Sequence, residues 1–215
     1  SSGGNTDIGF VDDTDAADLC YFALRSRVSL PDSLWDQAQN INSRERRRLV
    51  GVHVVSPMDV INRRTYPDTV MRSHSDLDSH GYTVHENFFI ADFGRKKFFD
   101  ANFPYRAMLP KRLDGLLVTG LGVSAHRDAM PVLRMQPDIQ NEGYAAGYAA
   151  AMAVKGNVAL RAIDVKQLQK HLVKIKNLDP SVLTAKDSYP LSDLQIQEAV
   201  TCLGDLTNNY EKLAV

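Results

Sequence analysis

A run of small residues places the first constraint on this chain. From Gly143 to Val154 it reads Gly-Tyr-Ala-Ala-Gly-Tyr-Ala-Ala-Ala-Met-Ala-Val, with Gly143, Ala146, Gly147 and Ala150 recurring at helical spacing. A helix built this way has a smooth face that lies close against a sheet or another backbone. Pro137 and Asp138 just ahead of it are start signals, a proline for the first turn and an acid at the positive end of the dipole. A helix over 138–154 is therefore predicted. By itself, such a helix is also what a close-packed core contains. The uncharged apolar run 144–154 is about half of the roughly 20 residues a membrane span requires, so no span is expected and the chain reads as soluble.

Upstream, Leu113-Asp114-Gly115 reads as a turn. Leu116-Leu117-Val118-Thr119 reads as a buried strand ending at Gly120. The following Gly120-Leu121-Gly122-Val123-Ser124-Ala125 has the letter pattern of a dinucleotide-binding turn. Its context argues against that. Such a turn opens directly into a helix, so that a pyrophosphate meets the helix N-terminus. Here Pro131 interrupts the next stretch, leaving a loop up to Pro137.

Elsewhere, Thr14 is positioned to cap a helix reaching Arg27, and a short helix is expected after Pro31-Asp32-Ser33, carrying Leu34, Trp35 and Ala38. Residues 48–55 are nearly continuously apolar and β-branched, the pattern of a strand. Ser56-Pro57-Met58-Asp59 combines a serine cap, an early proline and a first-turn acid. Between Tyr66 and Tyr105 strand-like pieces at 69–71, 82–85 and 87–91 alternate with loop residues. Pro104 and Pro110 favour extended backbone between them. Two amphipathic helices are expected at 164–175 and 192–213. The sum is a mixed α/β (α+β) fold without internal repeats.

Composition excludes several classes. With 25 basic and 26 acidic residues in 215, no polyanionic partner is implied, and Arg44-Glu45-Arg46-Arg47-Arg48 reads as a solvated face rather than a nucleic-acid site. Cys20 and Cys202 belong to no metal-ligand spacing. Cys20, among Leu19, Tyr21, Phe22 and Leu24, reads as a small buried hydrophobe, with a disulfide left open. His74, His80, His85 and His126 match no metal motif. Ser1 to Asn5 carry no signal-peptide pattern and fit a loop cut within a longer protein, which leaves the compartment unread.

Taken whole, residues 116–154 resemble the FAD-dependent oxidoreductase family, in which a late strand and helix return to complete the FAD domain. Leu116, Leu117, Val118, Gly120, Ser124, Ala125, Ala129, Arg134, Pro137, Gly143, Ala145, Ala146, Gly147 and Ala149 to Ala151 carry the match. Arg47-Arg48-Leu49-Val50-Gly51, the Ser56 helix start, Pro67-Asp68, Asp78-Ser79-His80 and Pro104-Tyr105-Arg106 follow the family's order. The resemblance implies a fragment of a two-domain flavoprotein: residues 1–110 on the substrate side, 111–155 completing the FAD domain, and 156–215 a helical extension. It implies FAD contacts from Gly120, Ser124, Arg134, Met135, Gln136, Pro137 and Asp138. His80 would take a proton, oriented by Asp78, with Arg106 holding the substrate.

The implied reaction is hydride transfer from a small organic or sugar-like substrate to FAD. A cofactor-less carbohydrate-associated module, or the xanthan lyase label some members carry, stands as the alternative. No Gly-rich turn opening into a helix occurs in the 215 residues. That half of the site is expected from an N-terminal segment of the same protein, so this chain alone should be inactive and bind FAD weakly or not at all. Leu121, Arg127, Asp138, Glu142 and Tyr144 depart from the family pattern.

Overall fold

In a computed structural model of the chain, which describes residues 12, 14–29, 47–78, 85 and 98–204, the β-branched segment after Pro67 forms the sheet. Strand β1, Thr69–Ser75, pairs antiparallel with β2, Phe99–Pro104, and the register slips between Thr69 and Met71. Val70, Met71, Phe99, Ala101 and Phe103 are buried and start the core. The 69–71 piece was legible and runs longer than expected. β2 was not anticipated, although Phe99-Asp100-Ala101-Asn102-Phe103 alternates apolar and polar residues, the period of a half-buried strand. The pieces at 82–85 and 87–91 lie essentially outside the described residues, as do the helix after Pro31 and the basic run as far as Arg46.

The helices are α1 (Ala16–Ser29), α2 (Pro57–Ile61), α3 (Met130–Leu133), α4 (Gln136–Gly156), α5 (Val165–Lys174) and α6 (Asp193–Gly204). The fold is thus mixed α/β. Internal contacts divide the chain into two compact units, 1–48 and 49–215. In the first, Asp15 rather than Thr14 starts α1, its carboxylate accepting from the Ala17 amide at 2.8 Å. Tyr21, Leu24 and Val28 are exposed. Cys20 is exposed as well, and both cysteines are free thiols, which overturns the expected burial of Cys20.

In the second unit, Ser56 closes a capping box with Asp59 at the start of α2, as its sequence predicts. Residues 48–55 run extended but form only single bridges, Gly51 to Pro110 and Val55 to Ala125. Their backbone partners alternate between two other segments, with Val52 donating to Leu109 and Val55 to Ser124, so no regular ladder develops. The expected buried strand at 116–119 is likewise corrected. Its link to a neighbouring segment is the Val118 amide on the Met108 carbonyl, and Leu116 is 43% exposed. Extended backbone between the two prolines gives way to a tight helical turn at Tyr105–Ala107.

Helix α4 packs against β1 and α5. It begins one residue before Pro137 and ends where Asn157 adopts left-handed φ 49°, a conformation asparagine tolerates at a helix end. Its buried stripe is Asp138, Glu142, Ala145, Ala146, Ala149 and Ala153. Gly143 and Gly147 look outward, and a Cβ on either would meet nothing within 4 Å. The face that appeared designed for close approach is therefore partly turned away from the sheet. α5 starts at Asp164, which accepts from the Lys166 and Gln167 amides. It buries Leu168 and Leu172, with Gln169 donating to the carbonyls of Pro67 and Thr69 at 3.1 and 2.9 Å.

No helix among the described residues is long and apolar enough to cross a membrane.

Candidate functional site

The N-terminal end of α4 brings several of the expected residues into one region. Met135, at the N-cap, offers no side-chain hydrogen bond, so the first-turn amides carry no side-chain cap. Gln136 and Pro137 are exposed there. Asp138 is buried and turned away, toward the sheet. The Ser73 hydroxyl sits between the Val132 carbonyl and the Asp138 carboxyl, 3.0 Å from the latter. Burial pushes the Asp138 carboxyl up, partly opposed by Ser73. An acid at this end would repel an anionic ligand if it faced outward. Its inward turn removes that conflict.

Gly120 stands beside this turn with φ +70°, a left-handed conformation that favours glycine. A Cβ there would have room, meeting only Ile139 at 3.6 Å, so the backbone angle sets the requirement. The Gly120 amide donates to Glu142 Oε2 at 2.8 Å. Glu142 is fully buried, and its Oε1 has no hydrogen-bond partner among the described residues. Burial drives its carboxyl up to about 8; the Gly120 amide opposes this and Asp138 adds to it. At neutral pH Glu142 is therefore mostly uncharged. In sequence Glu142 stands out only as a departure from the family pattern, although an acid four residues after Asp138 in an Ala/Gly helix is a visible signal.

Arg134 and Asp78, expected separately as a cofactor contact and a catalytic aid, are paired. The Arg134 guanidinium donates to Asp78 Oδ2 at 2.9 Å and to the Asp78 carbonyl at 2.6 Å. Ser79 and His80 follow directly and lie outside the described residues. Nearby in sequence, the His85 amide donates to buried Asp128 at 2.7 Å. Asp128 also receives Arg127 at 2.8 Å, and the His85 and His126 rings meet edge to face at 5.7 Å. Ser124 is buried and accepts from the Gly51 amide at 3.0 Å, so its hydroxyl holds a crossing of two backbones.

Arg106 lies in a different neighbourhood. Its guanidinium donates to Asp187 at 2.9 Å, its Nε is 3.5 Å from Asp68, and its charged end lies 5.4 Å from the centre of the Tyr66 ring. Arg64 grips the same Asp187 with two nitrogens, at 2.9 and 3.2 Å, and Asp59 with a third at 3.0 Å. Burial raises the Asp59 carboxyl, but hydrogen bonds led by His53 and including Arg64 outweigh it and hold the group well below the usual range. This network spends Arg106 on two carboxylates. Adjacent Tyr105 is buried, its hydroxyl donating to the Leu160 carbonyl at 2.8 Å and pushed up to about 12 by burial.

The same network anchors residues 186–188 to Thr65, whose hydroxyl donates to the Lys186 carbonyl at 2.7 Å. Asp187→Ala is expected to cost about 2 kcal/mol, because two arginines lose a shared charged acceptor. Urea unfolding should register that loss, and hydrogen exchange should accelerate at Ser188 and Tyr189 ahead of the core.

Among the described residues, no group of three His, Cys, Asp or Glu side chains is placed to hold a metal ion. The chain matches no curated protein and no solved structure. A family model described as FAD dependent oxidoreductase matches residues 10–172, starting well before the 116–154 segment and ending inside α5. With most of its length matched in this way, the chain belongs to the FAD dependent oxidoreductase family.

Proposed function

We propose that this chain provides one wall of a flavin site in an oxidoreductase that removes a hydride from a small organic or sugar-like substrate. The observation that carries the reading is the open first turn of α4, with its acid turned inward and Gly120 alongside. The residues fit the cofactor. Gly120 and the 134–138 turn would hold FAD, with unpaired amides and the positive helix end facing electron-rich oxygen or nitrogen. FAD, when bound, supplies the redox chemistry. The protein's own task is to bind, orient and move protons.

In this reading Asp78 is fixed by Arg134, and His80, two positions further along the sequence, is the acceptor of the substrate proton. Ser124 acts one layer behind, keeping the 120–125 turn registered on Gly51. Arg106, held by Asp68 and Asp187, shapes the substrate side by positioning Tyr66 and the 186–188 segment. An uncharged Glu142 spares the site a second anion.

The lyase alternative draws on a tyrosine, a histidine and two arginines that do come together. The Tyr66 hydroxyl is 3.3 Å from His53 Nε2, with Arg64 and Arg106 against the ring. Tyr66 is fully buried, and burial, first among its causes, raises its hydroxyl far above the usual range. A base that meets no substrate abstracts no proton, so this geometry favours the oxidoreductase.

The chain purified by itself should hold little or no FAD, since no Gly-rich βα turn occurs among the described residues. Visible absorbance measures this directly, and stoichiometric flavin would sink the two-part reading. In a flavin-loaded form of the protein, Arg134→Ala should lower kcat/KM more than tenfold by loosening Asp78. An unchanged value would remove that pair from the mechanism.

A further inference from the structure

A cavity of about 240 Å³ opens over the β1–β2 sheet, its lining including Thr69, Arg72, Asn102, Ser181, Val182 and Ala185. The strand register explains its polar edge. Arg72 and Asn102 are direct cross-strand partners, so their side chains share one face of the sheet. Ser73, the next residue along β1, points to the opposite face, toward α3 and α4. The cavity is therefore separate from the open end of α4.

Two of its polar groups are buried, Thr69 at 1% and Asn102 at 8% exposed. Asn102 is fixed on both sides, donating to the Arg64 carbonyl at 2.9 Å and accepting from Arg72 Nε at 3.2 Å. That contact uses the Arg72 Nε and leaves the two terminal amino groups without a partner among the described residues. Asp100 and Asp179 are near enough to feel the Arg72 charge, yet neither forms an ion pair with it. Asp100 instead pairs with His74 and Arg63, and Asp179 caps the Ser181 amide. Val182, which is buried, and Ala185 supply the apolar part of the lining.

We propose that this cavity binds a small carboxylate carrying a compact apolar body. A planar guanidinium with two free amino groups matches a carboxylate in bidentate geometry. The mixed lining, mostly apolar with a few fixed polar groups, is the pattern of a ligand pocket. Its volume equals about eight water molecules, which limits the ligand to a small acid.

Calorimetric titration of the full chain with benzoate, benzamide and inorganic phosphate tests the assignment. Benzoate should bind in the millimolar range, with benzamide and phosphate each at least about tenfold weaker. Arg72→Gln, a change at an exposed side chain, should weaken benzoate by a similar factor. Ala185→Phe should abolish binding by filling the cavity while leaving Arg72 in place, with circular dichroism confirming both variants folded. Equal binding of benzoate and benzamide would overturn the carboxylate assignment, and equal binding of phosphate would overturn the apolar part. Absence of benzoate binding, or an unchanged affinity in either variant, would overturn the site itself.

Discussion

Gly51→Ala should destabilise the second unit by about 3–4 kcal/mol and lower its Tm by roughly 6–16 °C, the usual conversion for a unit of this size. A Cβ at residue 51 would stand 2.5 Å from Ser124 Cβ and 2.8 Å from its Oγ. Ser124 cannot swing aside, because the near atom is its own Cβ and its backbone is tied at both ends. Its amide donates to Ala107, and its carbonyl accepts from Val55. The two chains must part, and the Gly51 amide bond to the serine hydroxyl is lost with them. Ser124→Gly removes the obstructing atoms, so the double variant should recover much of the loss. A double-mutant cycle in urea reads the coupling directly; additive costs would show that the close approach is not the cause.

Glu142 gives the second large effect, a stability that declines with rising pH. Its carboxyl releases a proton near its ordinary value in the unfolded chain and near 8 in the folded one, so the folded state binds the proton more tightly. The associated stability is complete below about pH 4.5 and is lost as pH rises through about 8, when a charge must sit in a dry site. The expected fall is on the order of 3–4 kcal/mol between pH 5 and pH 9. Asp138, shifted in the same direction, adds to the slope. Glu142→Gln keeps an acceptor for the Gly120 amide and loses the titration. It should flatten most of the profile and be the more stable protein at pH 8. A wild-type profile already flat across this range would refute the assignment.

Where the sequence was readable, the signals were local and agreed with one another. The α2 start packs cap, proline and acid into Ser56 to Asp59, and the start of α4 is marked by Pro137 to within one residue. The 116–119 strand misled because its residues suit a sheet while its neighbours supply a single backbone bond. β-propensity reports a surface that fits a pleat, not the presence of a partner. The rotation of α4 was hidden for another reason. Its alanines and glycines suit either face, and the deciding residues are two acids that go inward against the ordinary preference of carboxylates for water. The resemblance singles out Arg134, but its tie to Asp78 spans 56 positions and no local pattern encodes it.

The clasp between Thr65 and residues 186–188 has a consequence for synthesis. Its hydrogen bonds join positions 121 and 123 apart, and the Arg64 grip on Asp187 spans 123. Contacts of such separation are among the last a growing chain can make. Until Asp187 emerges from the ribosome, Arg64 and Arg106 lack the carboxylate they share in the folded chain. The charged network around Tyr66 therefore closes only once residues 186–188 have been translated, after both strands of the sheet and the helix at Val165–Lys174.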